Sequence, residues 1–192
     1  DAETPSATRV ERLGPLRLVT FAGGRGFVTY QDLDGADART IAGWVAEALA
    51  FYRSDPAIVR VDWKTRAHDH APGLYEALLD NGFEPDETES IMIGPANALN
   101  ADVQLPPGVS LRRLSAERDI RAMSAMQDEV FGVDASDGNA DAILRRVARE
   151  DGMELWVAEH EGVIVSAGRL EPVPDTDFAG IWGGATRAQW RG

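Results

Sequence analysis

The chain has no cysteine in its 192 residues. A disulfide framework, a thiolate nucleophile and a Cys-ligated zinc site are therefore excluded. The absence fits a reducing compartment, and a cytoplasmic protein is the expectation. Positive charge is also scarce. Asp and Glu number 32 against 19 Lys and Arg, for a formal net charge of −13. An acidic surface repels phosphate backbones, which argues against a nucleic-acid partner. It attracts basic molecules such as amines or aminoglycosides, although solubility alone accounts for the charge. Lys64 is the single lysine, and together with abundant Ala, Asp and Gly this points to a GC-rich coding sequence rather than to a mechanism. No apolar run approaches the roughly 18 residues of a membrane span. The opening Asp1-Ala2-Glu3-Thr4-Pro5-Ser6 lacks the basic and apolar regions of a secretory signal, so no membrane partner is expected.

Residues 1–12 are polar and read as a loose terminus. Leu16–Phe21 and Phe27–Tyr30 read as strands joined by a turn at Gly23-Gly24-Arg25-Gly26. A phosphate cradle needs a helix directly after the glycines, whereas a strand follows. Ile41, Val45, Ala48, Leu49 and Tyr52 recur at helical spacing and predict a helix over Asp37–Tyr52. Val59, Val61 and Trp63 alternate with charged residues as in a strand. Pro72 and the apolar set Leu74, Tyr75, Leu78 and Leu79 predict a second helix ending at Asn81-Gly82. Ser90–Ile93 reads as a final short strand. Residues 96–108, with Pro106-Pro107, form a linker between a domain over 13–95 and one over 109–192.

The second half opens with a strand over Val109–Arg113. Ser115 is placed to cap a helix carrying Ile120, Met123, Gln127, Val130 and Phe131. A turn over Gly132–Asn139 leads to a helix through Ile143, Leu144 and Val147. Leu155–Glu159 and Val163–Leu170 read as strands around the tight turn Glu161-Gly162. A loop over Pro172–Asp177 precedes a strand over Phe178–Thr186. Gly180, Gly183 and Gly184 lie inside that strand, where glycine often marks a bulge or the close approach of another backbone.

That order of strand, two helices, strand, hairpin and strand, followed by Thr186-Arg187-Ala188-Gln189-Trp190-Arg191-Gly192, resembles the opening of the GNAT superfamily of N-acyltransferases. In that family the fourth strand runs into a pattern like V-x-P-x-x-R-G-x-G. Arg191 and Gly192 match the first two members of its R-G-x-G core. Thr186 stands at the valine position and Ala188 at the proline position, so two positions depart from the pattern. The resemblance covers residues 109–192 and is strengthened by Gly183-Gly184-Ala185-Thr186. It implies an α/β (α+β) fold with a mixed, mainly antiparallel sheet flanked by helices. It also implies transfer of an acyl group, chiefly acetyl from acetyl-CoA, to a small-molecule or peptide amine, without a metal. Gly184, Ala185 and Thr186 are then expected to lie along pantetheine. Arg191 and Gly192 are expected to open the loop whose N–H groups face the pyrophosphate at a helix N-terminus. The remainder of that loop is expected beyond Gly192, so this chain by itself should hold acetyl-CoA weakly or not at all. The sequence leaves oligomeric state open, a homo-oligomer included.

The order of elements over 13–95 resembles the back half of the same fold. Where the carrier loop belongs, however, stands Asp32-Leu33-Asp34-Gly35-Ala36-Asp37, whose three carboxylates repel pyrophosphate. The resemblance thus implies a degenerate, non-binding GNAT-like half. It either packs on the catalytic half or contributes strands to one composite sheet.

Acyl transfer to an amine needs a base for the amine and an acid for the leaving thiolate. Ile181-Trp182-Gly183-Gly184-Ala185 offers no ionisable side chain. Glu171 and Asp177 are the nearest carboxylates. Glu171 is the candidate base, although both read more simply as loop or turn residues. The tyrosine that serves the family as acid belongs to a later helix. His68-Asp69-His70 places two imidazoles on one side of an extended segment, with Glu76 as a third ligand in reach, but metal sites usually need three or four ligands, and a solvated loop is the simpler reading. His160 reads as an exposed turn residue, and Trp156, Trp182 and Trp190 as packing. Two other functions compete with the enzyme: a non-catalytic GNAT-like module for binding, regulation or assembly, and a small-molecule sensor.

Overall fold

The computed structural model describes residues 7–99, 103–134 and 137–191. The chain divides into two compact units, one over Ala7–Ile93 and one from Gly94 onward. Each unit holds its own four-stranded sheet and its own apolar core. Among the described residues the two sheets share no strand.

The first unit runs β1 (Ala7–Leu13), β2 (Leu16–Phe21), β3 (Arg25–Thr29), α1 (Ala38–Arg53), β4 (Arg60–Trp63) and α2 (Leu74–Asp80). Its sheet order is β1-β2-β3-β4, antiparallel up to β3, with β4 parallel to β3 across the α1 crossover. The terminus expected to be loose corrects to a strand from Ala7 onward. Leu13 pairs with Leu16 across Gly14-Pro15. Gly14 adopts φ +55, and Pro15 supplies the fixed negative φ that follows it in a tight hairpin. The strand escaped detection because it lies on the sheet edge with most of its side chains exposed, so it carries no apolar alternation. Residues 1–6 of that predicted terminus lie outside the described residues.

Asp37 caps α1 by accepting the Thr40 N–H at 2.8 Å. The predicted stripe Ile41, Val45, Ala48, Leu49 and Tyr52 is buried. The Tyr52 hydroxyl donates to the Val19 carbonyl at 2.9 Å and lies 3.1 Å from that of Phe27. Val19 and Phe27 face each other on β2 and β3, so the last turn of α1 is pinned to their ladder. The expected strand at Ser90–Ile93 is not formed. Met92 is 93% exposed, and no strand of the described residues pairs with this segment. An apolar triplet without a ladder to join leaves its backbone groups to water.

The second unit runs through a short 3₁₀ turn (Ala96–Leu99), then β5 (Val109–Leu114), α3 (Glu117–Phe131), α4 (Asp137–Val147), β6 (Glu154–His160), β7 (Val163–Pro172) and β8 (Ala179–Thr186). The sheet order β5-β6-β7-β8 is antiparallel throughout. Ile120, Met123 and Met126 of α3 and Ile143 of α4 share a core with Leu155, Val157, Ala167 and Ala185 of the sheet. The cap of α3 falls on Ala116 rather than Ser115, with no side-chain hydrogen bond. Glu117 and Asp119 in the first turn offset this by favouring the positive end of the helix. Gly132 ends α3 at φ +68, and Val133 N–H returns to the Asp128 carbonyl at 3.1 Å. Among the described residues no helix is long and apolar enough to cross a membrane.

Candidate active site

The glycines of β8 build a local defect. Ala185 faces Ala167 and Trp182 faces Arg169, so three steps along β8 match two along β7. The surplus residue falls at Gly183-Gly184, and Gly183 adopts φ +61. A glycine in the left-handed region at a two-against-one mismatch is a β-bulge. A side chain at 183 would bring its Cβ within 2.8 Å of Arg169 Nη1 and 3.0 Å of Gln127 Nε2. β8 is also the edge of its sheet, bordered by β7 on one side and by no strand of the described residues on the other. Half of its backbone groups therefore point away from the sheet.

Gln127 holds the bulge from above. It is buried on the apolar stripe of α3, and its Nε2 donates to the Gly183 carbonyl at 2.7 Å. A carbonyl can only accept, so the amide orientation is fixed by chemistry. Gln127 Oε1 is left buried with no partner among the described residues. The signal in the sequence was an amide at a position where helical spacing called for an apolar side chain.

A cleft of about 510 Å³ opens beside this contact. Its lining includes Gln127, Phe131, Val133, Asp134, Arg169 and Gly183. Arg169 Nε donates to Glu171 Oε1 at 2.5 Å. Glu171 Oε2 lies 3.9 Å from Arg146 Nη2, and Arg146 also pairs with Asp151. Arg146 is buried, and burial holds its guanidinium below the usual range. Glu171, the candidate base, thus stands between two arginines. Asp177 is exposed in the loop before β8.

The residues expected along the carrier lie together on one strand end. Gly184, Ala185 and Thr186 close β8. Ser166 Oγ donates to the Ala185 carbonyl at 3.0 Å and lies 2.8 Å from Thr186 Oγ1. Arg187 N–H continues the ladder to the Val165 carbonyl at 2.9 Å, and its guanidinium grips Glu129. After a 3₁₀ turn over Ala188–Trp190, Arg191 Nε reaches back to the Thr186 carbonyl at 2.7 Å. Gly192 lies outside the described residues.

The other clusters have structural roles. Asp69 accepts from the Tyr30 hydroxyl at 2.6 Å and from the Arg66 N–H at 2.9 Å, while His68 and His70 are exposed. Burial and the Asp69 carboxylate push the Tyr30 phenol well above its ordinary range. Among the described residues no three His, Asp or Glu side chains gather as metal ligands. His160 packs against Trp190 with ring centres 4.9 Å apart and the planes tilted by 49°.

No family model and no curated protein matches the sequence. The structure is similar to that of a GCN5-related N-acetyltransferase from Kribbella flavida, with a TM-score of 0.58 at 13% identity, covering 96% of this chain and 68% of that one. At that identity the likeness is one of fold. The chain therefore has a GNAT-like fold, α+β with mainly antiparallel sheets flanked by helices, as the sequence resemblance implied.

Proposed function

We propose that the protein is an acyl-CoA-dependent N-acyltransferase, with acetyl-CoA as donor and an amine as acceptor. The observation that carries this reading is the bulge at Gly183 on an open sheet edge. It combines backbone groups that a thioester's pantetheine arm can pair with and a cleft where an acceptor can approach. When bound, the carrier supplies a thioester whose C–S bond breaks as the N–C bond forms. The amine gives up a proton and the departing sulfur takes one up.

The chain's own residues orient and shield this exchange. The outward N–H and C=O groups of β8 hold the carrier in line, with Gly184, Ala185 and Thr186 alongside it. An N–H on the outward edge of β8 polarises the acyl carbonyl as negative charge develops on its oxygen. Gln127 fixes the bulge through Gly183, and the apolar base of α3 keeps water from behind it. Arg191 and Gly192 open the segment that faces the pyrophosphate. Glu171 serves here as a positioning residue for Arg169, because its carboxylate oxygens are already engaged by Arg169 and face Arg146.

The test is release of free thiol from acetyl-CoA by the full-length protein against a panel of amines. Amine-dependent release that falls at least about tenfold in Gly183→Ala, a loss of about 1.4 kcal/mol of transition-state stabilisation, supports the reading. Release that is absent with every amine, or indifferent to Gly183, contradicts it and favours a non-catalytic module.

A further inference from the structure

We propose that the cleft at the bulge takes an acceptor carrying a carboxylate beside its amine, and that Arg169 reads that carboxylate. The proposal rests on the acyl-transfer reading above and adds the class of acceptor.

Arg169 is held at one end only. Its Nε is bonded to Glu171 at 2.5 Å, which fixes the plane of the guanidinium. Its Nη groups have no partner among the described residues, and the side chain is 28% exposed. Nη1 lies 2.8 Å from where a Cβ at Gly183 would stand, so the open fork faces the bulge and the cleft. A planar fork of this kind matches a carboxylate through two parallel N–H···O bonds. Among the described residues nothing uses that edge, although the Glu171 contact pre-sets it.

The rest of the lining fits the other parts of such a molecule. Asp134 contributes a carboxylate for an ammonium group, and Phe131 and Val133 offer exposed apolar surface for a hydrocarbon body. Cation site, anion site and apolar wall within about 510 Å³ describe an amino acid with an apolar side chain. The overall charge of −13 draws cations without discrimination. A fixed arginine in so acidic a chain selects for the zwitterion against a simple polyamine.

The test is a titration of the full chain followed by ligand-observed and amide NMR. The probes are leucine, leucinamide, which lacks the carboxylate, and 4-methylpentanoate, which lacks the amine. Coenzyme A serves as a separate arm. Leucine should bind at least about tenfold tighter than leucinamide, the scale of one charge-assisted bidentate contact. R169Q should abolish that preference while leucinamide binding changes less than about twofold. R169K, which keeps the charge and loses the fork, should lose most of the preference and covers the case in which R169Q fails to fold. Equal binding of leucine and leucinamide overturns the proposal. So does loss of coenzyme A affinity in R169Q with the leucine preference intact, which assigns the fork to the carrier. Because these readouts need no turnover, their failure is separate from failure of the thiol-release assay, which bears on the enzymatic reading itself.

Discussion

Gly183 carries two constraints that a single methyl group violates together. Its φ of +61 is strained for any residue with a Cβ, and Arg169 and Gln127 already fill the space a Cβ needs. Gly183→Ala should lower stability by about 1–2 kcal/mol from the left-handed conformation alone, measured by denaturant unfolding. Tyr52 offers a contrasting case far from the cleft. Burial pushes its phenol up to about 12. Because the folded value lies above the ordinary 10.0, its contribution to stability is complete below pH 10 and is lost as pH rises through the folded value. Unfolding midpoints at pH 8 and pH 11 should therefore differ more in the native protein than in Tyr52→Phe. At pH 8 that variant should be weaker by about 1 kcal/mol through loss of the bonds to β2 and β3.

Among the elements, β7 sets out the chemistry and β8 the defect. Glu171 and Arg169 are two residues apart on β7, so they share a face of the sheet. Glu171→Gln should leave the pH profile of kcat unchanged and raise the acceptor KM several-fold, because Arg169 loses its anchor. A general base in that position would instead lower kcat by about 10²–10⁴. The glycines of β8 were legible in the sequence, since glycine inside a strand pattern marks a bulge. So were α1, with its buried apolar stripe, and β6 and β7, set around the tight turn Glu161-Gly162. Gln127 left only the trace of an amide on an apolar helix face and Arg169 left none, because a strand register and a helix face bring them together across 42 positions of chain. β1 was missed because an exposed edge strand has no period. Ser90–Ile93 was overread because apolar character does not supply a partner strand.

On the scale of the whole molecule the excess of acid dominates. At the sequence pI of about 4.6 the repulsion between copies vanishes, so turbidity should peak near that pH and fall on either side. Acid unfolding is a separate event. Arg112 holds the Asp119 carboxyl below its ordinary 3.8, and Trp156 and Arg113 hold Glu154 below 4.5. Folded values lowered in this way add stability above the ordinary values and lose it as pH falls through the lowered ones. The thermal midpoint should thus stay level from neutral pH to about 4.5 and drop below it, with a smaller drop in Arg112→Gln.

The open, bulged edge of β8 as the seat of the acyl carrier is tested most directly by amide hydrogen exchange with and without acetyl-CoA. Slower exchange concentrated at Trp182–Thr186, absent in Gly183→Ala, is the expected result. Unchanged exchange along β8 at saturating acetyl-CoA, or protection confined to other segments, contradicts it.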